Sequence, residues 1–170
     1  MRNVLFLDID GVLHRGIARR SGNRVVSSAP HIKLFEYAGV LDDLLRPYPE
    51  VEVVLSSDWS LVFGTELTRN AIPSPSLQNR IVGATFDGCT LNPVVWPLLP
   101  RGEQVLDYVS RNAPLRWLAV DDRADGFEVH RHRLVHCQTE VGLGDSAVVE
   151  QFRERLQRFF ADSPNCDSND

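Results

Sequence analysis

The chain has 170 residues, of which 43% are apolar and 24% charged, and its net charge is −5. That length suits one domain with a sizeable core, and the composition excludes a disordered or fibrous chain. The acidic balance excludes a generally nucleic-acid-coating protein, and no apolar run approaches the roughly 18 residues of a membrane span.

The N-terminal apolar stretch is too short for a signal peptide, and Val4 to Leu7 reads instead as a buried strand that stops at Asp8-Ile9-Asp10-Gly11. Residues 11–30 contain Arg15, Arg19, Arg20 and Arg24, with His14 and no acid, and read as a basic loop or flap. Leu34, Tyr37, Leu41, Leu44 and Leu45 recur at helical spacing until Pro47 and Pro49 end the helix. Val51 to Leu55 is a second buried strand, stopping at Ser56-Ser57. Trp59 to Asn70 predicts a helix weakened by Gly64 and closed by Pro73 and Pro75, and Arg80 to Ala84 a short third strand. A helix over Gly102 to Arg111 precedes a fourth strand, Leu115 to Val120, which ends in Asp121-Asp122. Arg133 to Cys137 is the fifth strand. Val148, Val149, Phe152, Leu156, Phe159 and Phe160 stripe a last helix capped by Asp145 or Ser146, and residues 161–170 form a polar, acidic tail. Cys89, Cys137 and Cys166 are odd in number and widely spaced, with no CxxC pair. They argue against a disulfide framework or a structural zinc site and point to a reducing cytoplasm.

Strands that are apolar throughout and alternate with helices predict a parallel sheet covered on both faces, with the ligand site beyond the carboxyl ends of its central strands. Three of the five strand ends carry polar groups: Asp8 and Asp10, Ser56 and Ser57, Asp121 and Asp122. Each pair alone reads equally well as a solvated strand end. Converging in a core, the acids would repel one another by several kcal/mol unless a cation neutralised them. An all-oxygen donor set of that kind suits magnesium, and a carboxylate so placed beside a hydroxyl fits phosphoryl transfer through an aspartyl phosphate.

These residues resemble the haloacid dehalogenase (HAD) superfamily. Asp8-Ile9-Asp10-Gly11-Val12 is similar to its first motif, Val53-Val54-Leu55-Ser56 to its second, and Leu118-Ala119-Val120-Asp121-Asp122 to the paired-aspartate form of its fourth. The third motif, a lysine, has no direct counterpart: the only lysine of the chain is Lys33, against seventeen arginines. Arg101, at the start of Arg101-Gly102-Glu103-Gln104-Val105-Leu106, stands in its place, with Arg80 as second choice. An arginine holds phosphate by a bidentate fork rather than as a point charge. The resemblance implies an α/β/α three-layer Rossmann-like sandwich with a mainly parallel five-stranded sheet of order 5-4-1-2-3. A single HAD-like domain over residues 1–160 is expected, without a cap, since only about twenty loop residues follow the first motif and the core fills residues 57–121. By the same resemblance Asp8 is nucleophile and magnesium ligand. Asp10 is general acid and then base, its carbonyl binding the metal. Ser56 donates to the phosphoryl group, Arg101 clamps it, and Asp122 with Asp121 completes the Mg²⁺ site. Asp125 is either an outer acid or part of a solvated turn.

Gly11, Ser57, Arg15, Arg19 and Arg20 are the further candidate substrate contacts. His130, His132, His136 and Cys137 fit no zinc spacing and read as structural. Trp59 reads as a buried helix-start aromatic or a pocket rim, and Arg153, Arg155 and Arg158 as a solvated helix face. The expected activity is hydrolysis of phosphomonoesters. A capless, open site beside a basic flap favours a polyanionic substrate, a nucleic-acid end ahead of a phosphoprotein, or a partner chain that completes the site, with no membrane role. The alternative is a HAD-like binding module that has lost turnover: the missing lysine favours it, and retention of both Asp8 and Asp10 opposes it.

Overall fold

Leu7, Leu55 and Val120 lie abreast at the ends of three neighbouring strands, and that register organises the molecule. The computed structural model describes residues 2–161 apart from residue 23, and the side chains of Arg20 and Arg24 also fall outside the description. The central sheet comprises β1 (Asn3–Leu7), β4 (Val51–Leu55), β5 (Ile81–Ala84), β6 (Arg116–Asp121) and β7 (Leu134–His136), all parallel. Its order is β5-β4-β1-β6-β7, which in sheet strands is the expected order read from the other edge. β1 is central, so both its faces are buried. Leu5 and Leu7 join one core with Leu41 and Leu45 of α1 (Ala38–Leu45), Leu77 of α4 (Pro75–Arg80), and Phe152 and Leu156 of α6 (Ser146–Phe160). Val4 and Phe6 join the other, with Val105 and Tyr108 of α5 (Arg101–Asn112) and with Trp117 and Phe127. Continuous apolar strands therefore give three layers, and no separate cap domain stands among the described residues.

The basic flap is not a loop. It carries an antiparallel hairpin, β2 (Ala18–Ser21) and β3 (Arg24–Ser27), whose first residue donates its N–H to Asp10 just beyond the end of β1. The helix expected from Leu34 begins only at Ala38, because Phe35 adopts a left-handed backbone (φ 58°) within the turn that precedes it. Gly64, at φ 83°, splits the helix expected from Trp59 into α2 (Asp58–Phe63) and α3 (Thr65–Ala71). Pro75 opens α4 rather than closing a helix: its missing N–H costs nothing at a first turn, and the Ser74 hydroxyl accepts from Leu77 N at 3.2 Å. Arg80 consequently ends α4 instead of starting the third strand. Asp145 caps α6 as expected, accepting from Ala147 N at 2.8 Å. No described helix is long and apolar enough to cross a membrane. The tail from residue 162 lies outside the described residues.

Candidate active site

The sheet register carries the acids to one place. Asp8 N donates to Val120 O (3.1 Å) and Ser56 N to Leu7 O (2.8 Å), so residues 8, 56 and 121 stand side by side beyond the strand ends. Oxygens of Asp8, Asp121 and Asp122 all lie within 4.8 Å of one another, and Asp8 and Asp121 are buried. Asp122 fits only because residue 11 lacks a side chain. Gly11 has φ +66°, and a Cβ there would meet Asp122 Oδ2 at 2.3 Å. The same Asp122 oxygen accepts from the Thr139 hydroxyl at 2.6 Å, a contact to the segment after β7 that sequence reasoning missed.

A buried cation shares this cluster. Arg101, 3% exposed, places Nε 3.2 Å from Asp121 Oδ2 and Nη2 3.8 Å from Asp8 Oδ2 and 3.6 Å from Asp58. Its Nη1 donates to the Ser56 carbonyl and to Gln104 Oε1. The start of α5 is pinned on the loop after β6: Arg101 N donates to Asp125 Oδ2 (3.1 Å) and Gly102 N to Asp125 O (2.8 Å). A Cβ at residue 102 would strike the Gly126 backbone at 2.1 Å, which explains the glycine after the arginine.

Burial raises the Asp8 carboxyl from 3.8 to about 6, and Asp122 adds to the rise, while Arg101, the Ser57 hydroxyl and Ile9 N–H oppose it. Burial and the Asp8 charge push Asp121 well above the ordinary carboxylate range, against Arg101 and the Arg123 N–H. Burial would lower Arg101, but Asp8 and Asp121 more than reverse that and hold it above its usual value. One arginine thus leaves the cluster under-neutralised. Asp121 Oδ2 is buried without a hydrogen-bond partner, since the nearby Arg101 Nε is misaligned for one. Three clustered carboxylates, one with an orphaned oxygen, fit a hard divalent cation.

Asp10 stands apart from this cluster. Its Oδ1 accepts from Trp59 Nε1 (3.1 Å) and Ala18 N (3.0 Å) and lies 3.0 Å from His14 Nε2. Asp10 borders two cavities. One, of about 290 Å³, also touches Asp8, Ser57, Asp58, Arg101, Asp122 and Thr139. The other, of about 170 Å³, lies against Ala18, Arg19, Trp59, Val62 and Phe63. A larger cavity of about 390 Å³ between α1 and α6 has little to offer chemically, since its Asp43 and Arg153 pair with Arg46 and Glu150.

Several expected roles are relocated. The Ser56 hydroxyl is fully buried without a partner, and Ser57 is the serine that faces the acid cavity, because residue 56 continues the inward register of β4. Gly11 makes room for Asp122 and does not line the cavity. Arg15 is tied to Glu36 (2.8 Å) and to the Tyr37 hydroxyl (3.0 Å), and so is not a free substrate contact. Arg19 donates to Ser28 O (2.6 Å) and flanks Asp10 across the smaller cavity. The Arg20 and Arg24 side chains lie outside the described residues. Arg80, the alternative clamp, holds the carbonyls of Leu45, Tyr48 and Val51 at the start of β4, the opposite edge of the sheet. Asp125 binds Arg123 and the start of α5. His130 and His132 have their rings 6.2 Å apart and His132 stacks on Phe159, whereas His136 reaches Asp122 O. Among the described residues these histidines and Cys137 therefore do not gather at one point. Trp59 meets both expectations: it is buried at the start of α2 and still touches Asp10.

A family model described as the HAD domain in Swiss Army Knife RNA repair proteins matches residues 4–148. No curated protein matches the chain. The match spans every strand of the sheet and every residue of the acid cluster, and the chain belongs to this family of HAD domains.

Proposed function

We propose that the chain is a magnesium-dependent phosphomonoesterase that acts through an aspartyl phosphate on Asp8, with the phosphorylated end of a nucleic acid as its substrate. The observation that carries the reading is the convergence of Asp8, Asp121, Asp122 and Arg101 beside a cavity lined by Asp8, Asp10, Arg101 and Asp122, with Asp121 fully buried next to it. Mg²⁺ held by Asp8, Asp121 and Asp122, with the Asp10 carbonyl, would neutralise the clustered acids and the phosphoryl oxygens. Ser57 and Arg101 face the same cavity and would orient the phosphoryl group.

The Asp8 carboxylate attacks phosphorus, and the bond from phosphorus to the ester oxygen breaks. The leaving alkoxide takes its proton from the Asp10 carboxyl. Asp10, now a carboxylate, then removes a proton from water as that water attacks phosphorus. The bond from phosphorus to Asp8 breaks, inorganic phosphate leaves, and both acids return to their starting states.

Three features support the substrate class: membership in a family of domains from RNA repair proteins, the uncapped site, and Arg19 beside Asp10. Turnover of an aryl phosphate, with magnesium and with excess chelator, tests the chemistry. Phosphorylated RNA and DNA ends against a phosphopeptide, across a salt series, test the substrate. One observation favours a non-catalytic binding module: Arg101 is already engaged by Asp121, the Ser56 carbonyl and Gln104. No turnover of any monoester, together with retained anion binding, would establish that second reading.

A further inference from the structure

Asp10 Oδ1 is crowded with donors, whereas Oδ2 takes no hydrogen bond from any described residue. Trp59 Nε1 and Ala18 N both donate to Oδ1. His14 Nε2 sits 3.0 Å from the same oxygen, and its role depends on where the ring carries its proton. The backbone settles that: Phe35 N donates to His14 Nδ1 at 3.4 Å, so Nδ1 is the acceptor and the proton of a neutral ring is on Nε2, aimed at Asp10.

The residue that supplies this N–H is itself unusual. Phe35 is one of two described non-glycine residues at positive φ (58°), a strained conformation that persists only where the surroundings impose it. Its ring packs edge-on against His14 (5.8 Å) and Trp59 (5.3 Å), and those two rings meet at 6.2 Å. His14 is fully buried, Trp59 and Phe35 nearly so. His14, Phe35 and Trp59 thus come from three separate segments, two of them with a single N–H directed at one carboxylate oxygen.

We propose that His14 and Trp59 are positioning residues that fix the Asp10 carboxyl by its Oδ1, leaving Oδ2 as the oxygen that gives the proton to the leaving group and later takes one from water. This rests on the phosphomonoesterase reading above and assigns that reading two residues it did not contain. Three donors on Oδ1 disfavour a proton there, so the acidic hydrogen belongs on Oδ2. The packed rings keep the carboxyl plane from rotating to exchange the two oxygens.

The distinguishing property is the leaving group. An alkyl phosphate expels a poor leaving group and needs a correctly aimed acid, while a dinitrophenyl phosphate departs with little help. A correctly placed general acid is worth about 10²–10⁴-fold. Trp59→Phe keeps the ring and removes the N–H. His14→Leu removes the donor, and His14→Gln restores an N–H at the reach of Nε2. Single-turnover rates in saturating Mg²⁺ should fall at least about tenfold more on an alkyl than on a dinitrophenyl phosphate in Trp59→Phe and His14→Leu. His14→Gln should recover most of the difference, and adding either substitution to Asp10→Asn should change little. Equal losses on both esters, or full additivity with Asp10→Asn, would overturn the positioning role. Should His14→Leu fail to fold, Trp59→Phe decides alone. If the wild-type chain hydrolyses neither ester, the phosphomonoesterase reading itself fails and takes this proposal with it.

Discussion

Replacing Arg101 by methionine keeps most of the volume and removes the only buried guanidinium that the described acids share. At an effective dielectric of about 20, a unit charge 3.2 Å from Asp121 and 3.8 Å from Asp8 is worth about 5 and about 4 kcal/mol. The desolvation of Arg101 opposes both, and the orphaned acids can escape part of the loss by taking protons. The half-exposed Asp58 contributes little, since solvent screens it. Breaking a buried charge pair on one side typically costs about 3–5 kcal/mol, and a loss in that range is expected here. Urea unfolding followed by tryptophan fluorescence, in chelator, reads it directly at pH 7.5. At pH 5, Asp8 is largely protonated in the folded chain, because burial raises it to about 6, and burial pushes Asp121 in the same direction. The loss should therefore shrink, and Mg²⁺ at neutral pH should restore more stability to the variant than to the parent. A loss below about 1 kcal/mol, or the same loss at both pH values, would refute the view that Arg101 neutralises the cluster.

The metal-free parent should lose stability as pH rises from about 4 through about 6. The folded chain binds protons there that the unfolded chain has released, and Asp8 alone, moving from 3.8 to about 6, accounts for about 3 kcal/mol. Asp121 acts in the same direction, Mg²⁺ should flatten the slope, and thermal melts across pH with and without the ion check both statements. Gly11→Ala should cost about 2 kcal/mol through the φ +66° backbone and displace Asp122, weakening Mg²⁺ binding by about tenfold in a calorimetric titration. Arg80→Met should cost about 2 kcal/mol by releasing three carbonyls yet leave kcat/KM for an aryl phosphate unchanged, because it lies at the far edge of the sheet.

The buried strands were legible because β1, β4 and β6 are apolar on both faces apart from Glu52 and the strand ends, and such an apolar run stopping at polar residues has few other solutions. Their order came from the HAD resemblance, not from periodicity. The hairpin was hidden because Ala18–Ser21 and Arg24–Ser27 do not alternate in polarity as a half-buried strand would. α4 is only six residues long, but Ser74-Pro75 is a cap followed by a first-turn proline and could have been read. At the site, Asp8, Asp121 and Asp122 could be placed from strand ends alone. The choice between Ser56 and Ser57 could not, since it turns on which of two adjacent side chains faces inward. His14 counted only as charge in the flap. Its partners Phe35 and Trp59 lie 21 and 45 residues further along the chain, and nothing local announces those contacts. Arg15 was misjudged for a related reason: Glu36, which neutralises it, sits in another segment.

The central claim is that Asp8 becomes covalently phosphorylated. The most direct measurement is an acid-quenched single turnover of a phosphomonoester in Mg²⁺, followed by peptide mass spectrometry of the chain. The account predicts a phosphoryl group on the peptide that carries Asp8, absent from Asp8→Asn and absent in chelator. Hydrolysis that continues in Asp8→Asn at the parent rate, or turnover by the parent with no phosphoryl group ever found on that peptide, would contradict it.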